Sequence, residues 1–175
     1  MDIRYLQLNT VTQEQLSRGE TWLTAEKRRR LDRLPPQKRL QSLCGDALAR
    51  EMLGRMLGVE PQNVMFTVNE NGKPLTDGAF FSVSHSGALV ACAVSDREVG
   101  LDLEQIRPVP KRLGQTLQEQ WETAEDFWHL WTRREAALKC RGDALGAWKH
   151  APDDELLCVP YPAPEGYVAA VSERK

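Results

Sequence analysis

No stretch of this chain is apolar for long enough to span a bilayer, a task that needs about 18 consecutive apolar residues, and this excludes a membrane-spanning helix. No secretory leader is expected either, since Met1-Asp2-Ile3-Arg4 opens acidic and mixed. Cysteine is scarce and scattered: Cys44, Cys92, Cys140 and Cys158 form no C-x-x-C and no short metal-binding spacing. Cys44 and Cys92 lie in apolar runs and read as small core residues, so the expected setting is soluble, reducing and cytoplasmic. An excess of charge of one sign is also lacking. With 23 Lys and Arg against 25 Asp and Glu, the net charge of -2 excludes a globally basic nucleic-acid binder, though not a local basic patch. Short repeats and low-complexity segments are absent. What remains is 175 residues, 41% hydrophobic and 27% charged, enough for one domain or two small halves sharing a core.

The most informative stretch is Val99-Gly100-Leu101-Asp102-Leu103-Glu104. In a strand, residues i and i+2 share a face, so Asp102 and Glu104 project side by side while Leu101 and Leu103 face a core. Two carboxylates that close repel each other, and each is costly to desolvate. A divalent cation relieves both problems, and two carboxylates with water suit Mg²⁺. The plainer alternative is a half-exposed edge strand carrying solvated acids.

Along the chain, Ile3–Leu8 alternates as a strand with Ile3, Tyr5 and Gln7 on one side. A polar, partly helical stretch runs to Glu20, and Thr24 then caps a new helix. That helix opens the most basic segment, Lys27 to Arg39, where Lys27 and Arg30 share a helical face at i, i+3. Such a run is either a solvated face or a phosphate cradle. Pro35-Pro36 breaks it, and an amphipathic core helix follows from Gln37 to Leu57, closed by Gly58. Val64–Val68 reads as a strand, Asn69–Pro74 as a turn with an exposed Lys73 at its tip, and Ala79–Val83 as a strand leading into Ser84-His85-Ser86-Gly87. There an imidazole, hydroxyls and backbone N–H groups can converge on an anion. Ala88–Val94 is a further strand, expected to pair with Val99–Glu104 through the Ser95–Glu98 turn.

A last helix begins near Ala124. Phe127, Leu130, Trp131, Ala137 and Leu138 form its apolar arc, and Trp128, Glu135 and Lys139 form a separate stripe. Glu135 and Lys139 stand at i, i+4, the spacing of a surface ion pair. Arg134 falls inside the apolar arc, where an unpaired cation is costly, so it requires an anionic partner. Loops follow Gly142, then short strands near Glu155–Val159 and Gly166–Val171. The elements before and after Ser95 roughly repeat. This divides the chain into halves at 1–95 and 96–175, with a cleft lined by Ser84 and His85 on one side and Asp102, Glu104 and Glu135 on the other.

These segments resemble a known family. Phe81-Ser82-Val83-Ser84-His85-Ser86-Gly87, Val99–Glu104 and Phe127-Trp128-His129-Leu130-Trp131-Thr132-Arg133-Arg134-Glu135-Ala136-Ala137-Leu138-Lys139 are similar, in order and spacing, to motifs of the Sfp-type 4′-phosphopantetheinyl transferases. Gly72-Lys73-Pro74 resembles that family's G-K-P turn, Thr24–Arg30 its basic coenzyme-binding segment, and Gly166–Val171 its closing strand. The resemblance implies an α/β (α+β) fold of two similar halves, pseudo-twofold, with the active site between them. It implies transfer of the 4′-phosphopantetheine arm of coenzyme A to a serine of an apo acyl or peptidyl carrier protein, with Mg²⁺ as cofactor and adenosine 3′,5′-bisphosphate as the other product. On that reading Asp102, Glu104 and Glu135 hold the metal, and Glu135 or a water on the metal takes the serine proton. Lys139 meets the pyrophosphate, Ser84 and His85 bind phosphate from the opposite wall, and Lys27, Arg30 and Lys73 hold the 3′-phosphate and nucleotide end. Arg134, also assigned to coenzyme binding, stands where the family has lysine. The segment Lys111–Glu125 is short and lacks an F-x-x-x-E-like motif. A monomer without nucleic-acid or membrane partners is expected.

A different class of function is a phosphate- or nucleic-acid-binding module built on the Lys27–Arg39 cluster, for which affinity would fall steeply with salt. It gives Asp102, Glu104 and Glu135 no common role.

Overall fold

The structure, a computed structural model, describes residues 1–117, 119–143 and 155–175. The loops expected after Gly142 lie largely outside these residues. In chain order the elements are β1 (Asp2–Gln7), α1 (Gln13–Trp22), α2 (Ala25–Leu31), α3 (Pro36–Leu57), β2 (Thr67–Val68), β3 (Pro74–Leu75), β4 (Phe80–Ser86), β5 (Leu89–Ser95), β6 (Val99–Gln105), α4 (Lys111–Gly114), α5 (Ala124–Arg141), β7 (Leu156–Tyr161) and β8 (Tyr167–Arg174). No helix among the described residues is long and apolar enough to cross a membrane.

The helix boundaries follow local chemistry. The Thr24 hydroxyl accepts from the Lys27 amide to start α2, and Pro36 occupies the first turn of α3, where its missing N–H costs nothing. Gly58, at φ 69°, closes α3 in the left-handed conformation that glycine adopts without strain. Thr123 and Asp126 form a reciprocal capping box on α5. The acid near this helix start therefore serves its N-terminus.

Strands of the described residues form two antiparallel three-stranded sheets, ordered β1-β5-β4 and β6-β8-β7, and a short β2-β3 ribbon. In each sheet the first strand lies beside the last, and a hairpin partner flanks the last strand's other edge. The core is layered in the order α3, first sheet, second sheet, α5. Strand β5 is buried on both faces: Val90, Cys92 and Val94 pack against Cys44, Leu48 and Met52 of α3. Leu89, Ala91 and Ala93 pack against Leu101, Leu103, Ala169 and Val171 of the second sheet. The far face of that sheet carries α5, where Phe127 and Trp128 cluster with Val168.

Two expectations need correction here. Only Thr67–Val68 of the 64–68 segment is a strand; Val64 instead plugs the first core at 2% exposure. And β5 does not pair with β6. Strand β5 is already flanked by β1 and β4, and β6 pairs with β8.

What β6 receives from the first half is a row of hydroxyls. Ser82, Ser84 and Ser86, on one face of β4, accept from the backbone N–H groups of Leu101 (3.0 Å), Leu103 (3.2 Å) and Gln105 (3.1 Å). Three side chains thus satisfy the edge of β6, an edge that a neighbouring strand would otherwise occupy. Ser82 lies beyond the charged groups and tests this seam alone. Ser82→Ala strands the buried Leu101 amide and should lower the unfolding free energy by about 1–3 kcal/mol in urea denaturation. Ser82→Thr, which keeps the hydroxyl, should lose less.

Candidate active site

The seam brings chemistry with it. On β6 the alternation that sends Leu101 and Leu103 into the core turns Asp102 and Glu104 toward α5 and the β4 hydroxyls. The helix can approach because residue 100 is glycine: a Cβ there would lie 2.0 Å from the Ala136 carbonyl oxygen and 2.3 Å from the Cys140 nitrogen. Glu135 and Lys139 are consequently pressed onto the strand carrying the acids. The stripe expected to run separately from the apolar arc is part of the buried side of α5, where Trp128, Thr132 and Glu135 are all at most 5% exposed.

Lys139 does not complete a surface pair with Glu135. Its Nζ donates to Asp102 Oδ1 at 2.6 Å and to Ser84 Oγ at 3.0 Å. Ser84 donates to the same carboxylate oxygen at 2.9 Å and accepts from Leu103 N–H. The other carboxylate oxygen, Asp102 Oδ2, is buried without a hydrogen-bond partner among the described residues. Glu104 Oε2 accepts from Ser86 Oγ at 2.6 Å and Arg107 Nη1 at 3.1 Å. Burial, opposed by the Ser86 hydrogen bond, raises the Glu104 pKa. Glu135 is shifted further, to about 7, by burial first and then by the neighbouring Asp102, with Lys139 opposing. Removing carboxylates from water and crowding them both favour the protonated form.

His85 follows Ser84 on β4 and points to the opposite face, the one that Phe81 and Val83 turn toward α3. The two residues do not form one wall as expected. Burial, with Lys38 of α3 nearby, lowers the His85 pKa, and its Nδ1 is buried without a partner among the described residues. The basic pair on α2 stands apart from the acids. Lys27 Nζ lies 3.8 Å from Asp46 Oδ2 of α3, and Arg30 is exposed. Arg134 has an anionic partner, the Glu119 carboxylate. Lys73 is not the exposed tip of its turn: it is half-buried, with Nζ donating to the carbonyls of Cys140 (3.0 Å) and Val99 (3.4 Å).

Arg107 escaped the sequence reading. Besides Glu104 and Ser86, it stacks 4.4 Å over the Trp128 ring, whose Nε1 donates to the Arg107 carbonyl. A cation three residues beyond the second acid was the available signal.

No family model matches the chain. Curated proteins do. The 4′-phosphopantetheinyl transferase Sfp of Bacillus subtilis is 28% identical over 151 residues, 77% of this chain and 67% of the relative. HetI of Nostoc is 34% identical over 132 residues, 63% and 55% of the two, and AcpT of Salmonella typhimurium 37% over 125 residues, 62% of each. The chain is similar in sequence to these 4′-phosphopantetheinyl transferases. It spans about half to two thirds of the length of the first of these relatives. All carry the same activity in their names, and the mixed α/β architecture agrees with that kinship.

The raised Glu135 pKa has a measurable sign. The folded protein holds this proton up to about 7, whereas the unfolded chain releases it near 4.3. Its stabilising contribution is full below the unfolded value and is lost as pH rises to the folded one. Stability in metal-free buffer should decline across that window, with Glu135 accounting for on the order of 3 kcal/mol. Glu135→Gln should flatten that part of the slope in denaturation series run from pH 4 to 8, leaving the smaller decline due to Glu104.

Proposed function

We propose that the chain transfers the 4′-phosphopantetheine arm of coenzyme A to a serine hydroxyl of an apo acyl or peptidyl carrier protein, with Mg²⁺, releasing adenosine 3′,5′-bisphosphate. The observation that carries this reading is the convergence of Asp102, Glu104, Glu135 and Lys139 across the β4–β6–α5 seam. The common strand order of the two sheets supports a pseudo-twofold pair of halves, 1–95 and 96–175, with this cluster between them.

Among the described residues, no three His, Cys, Asp or Glu side chains stand close enough to hold a metal as they are. The donor chemistry nonetheless suits Mg²⁺, which prefers hard oxygens and few protein carboxylates. Asp102 Oδ2 is an orphaned buried acceptor, and the Asp102 and Glu104 charges both disfavour ionisation of Glu135. Asp102, Glu104 and Glu135 would hold the ion, which when bound neutralises charge on the pyrophosphate oxygens.

The reaction forms a bond from the serine oxygen to phosphorus and breaks the bond to the bisphosphate leaving group. Such transfers depend on positioning and electrostatic stabilisation. The serine proton needs an acceptor within hydrogen-bond reach; Glu135, carried by α5 one turn before Lys139, is the side chain assigned to it. Lys139, a compact cation on a flexible stem, exchanges its Asp102 contact for a pyrophosphate oxygen. The half-buried His85 ring, on the α3 face of β4 and apart from the acids, is assigned to a phosphate group of the coenzyme. Lys27 and Arg30 provide cations for the 3′-phosphate. Ser84 and Arg134 already hold protein partners. The proposal therefore assigns Ser84 to fixing Asp102 and Lys139, and Arg134 to holding Glu119 against α5.

Incubation with coenzyme A, Mg²⁺ and a panel of apo carrier proteins should yield a carrier bearing one phosphopantetheine, read by intact-protein mass. Asp102→Asn and Glu104→Gln should raise the Mg²⁺ requirement and recover partly at high metal. Glu135→Gln should lower the maximal rate ~10²–10⁴-fold even at saturating Mg²⁺, the scale of lost general-base catalysis. Transfer to no carrier, together with steeply salt-dependent oligonucleotide binding, would favour the basic-cluster module instead.

A further inference from the structure

The turn between β2 and β3 is built as a clamp on the end of α5. Asn69 organises it: Oδ1 accepts from the amides of Asn71 (3.0 Å) and Lys73 (2.8 Å), and Gly72 supplies a φ of 81°. From this rigid turn three side chains reach the other half of the chain. Asn69 Nδ2 and Asn71 Nδ2 donate to the Gly142 carbonyl at 3.2 and 2.9 Å, and Lys73 Nζ donates to the Cys140 carbonyl at 3.0 Å.

Those carbonyls are ones the helix cannot satisfy alone. The last four carbonyls of an α-helix lack intrahelical donors. Here the amides of Gly142 and Asp143 turn back to Lys139 and Leu138, and among the described residues the donors to the Cys140 and Gly142 carbonyls come from the β2–β3 turn. An ammonium at this end also complements the negative pole of the helix. The contact is close: a Cβ on Gly142 would lie 2.8 Å from Asn69 Nδ2 and 3.3 Å from Lys73 Cδ.

Lys73 makes one more contact. Its Nζ also lies 3.4 Å from the carbonyl of Val99, the first residue of β6. The one ammonium therefore joins the strand bearing Asp102 and Glu104 to the helix bearing Glu135 and Lys139, at the end where Gly100 lets the two meet.

We propose that Lys73, with Asn69 and Asn71, is a positioning clamp that sets the register of α5 on β6 and so the placement of Glu135 and Lys139 against Asp102 and Glu104. The catalytic consequence rests on the transferase reading above. The clamp itself does not. On this assignment Lys73 acts through the helix and leaves the 3′-phosphate to Lys27 and Arg30.

The experiment pairs Lys73→Met with Asn71→Ala, the second a residue with no assigned coenzyme contact. Both should lower kcat, Lys73→Met by about 10-fold, within the ~10²-fold that a 1 Å misplacement can cost. KM for coenzyme A should stay within about twofold, as expected when substrate binding is untouched. Lys73→Arg, whose guanidinium can bridge the same carbonyls, should recover most of the rate. Amide hydrogen exchange in the last turn of α5 should quicken in both variants, by about 10-fold in Lys73→Met, in proportion to a lost cation at a partly buried helix end. A raised KM with unchanged kcat, together with loss of the preference for coenzyme A over its 3′-dephospho form, would overturn the proposal and make Lys73 a coenzyme ligand. Faster exchange with unchanged kcat would also overturn it, reducing the clamp to a stabilising cap. Absence of transfer by the unaltered protein would sink the transferase reading and the catalytic consequence with it, while the exchange measurement still decides whether the clamp holds the helix.

Discussion

The hydroxyls of Ser82, Ser84 and Ser86 are the hinge on which this structure's architecture turns. A sheet edge carries unpaired amides that must find acceptors, and β6 finds them in side chains of another sheet. A side-chain seam holds two sheets together without fusing them into one continuous ladder. It also allows the same hydroxyls to serve two masters, since Ser84 and Ser86 each donate onward to a carboxylate of β6. Structural satisfaction and charge placement are thereby the same set of bonds.

From that arrangement the electrostatics follow. Acids held by neutral hydroxyls receive orientation but little compensation of charge, so the cluster depends on Lys139 and Arg107 for its cations. Lys139 sits on one oxygen of Asp102 and leaves the other orphaned, while Glu135 remains poised between its two forms. A region of buried, partly satisfied polar groups is costly to a fold. Such costs gather where a ligand is to be received.

Much of this was legible in residue order. The period-2 pattern of Val99–Glu104 identified the acid strand, and the Thr24 and Gly58 signals located two helix ends, because each depends on neighbours within a turn or two. Arg134's need for an anion could be inferred from its place in an apolar arc, although Glu119 could not be named as the answer. Two of the failures share one physical character: they depend on partners far along the chain. The β5–β6 hairpin was the natural local guess, but hydroxyls 19 residues from their amides decided the matter. Lys73 looked solvated because it sits in a turn, yet its long stem can carry the ammonium inward to a carbonyl 67 residues away. The opposition of Ser84 and His85 was readable from strand alternation once β4 was known to run through both.

The strand order has a consequence in time. Strand β1 pairs with β5, Asp2 opposite Val94, and β6 pairs with β8, Val99 opposite Glu173. Each sheet closes only when its last strand is present, and pairings of such separation are slow to form because the loop entropy is lost before the contacts are gained. Strand β6 therefore stays without its sheet until β8 has been made. Its acids become a crowded, half-neutralised cluster only in the last stage of folding, when the surrounding structure can hold them apart from water.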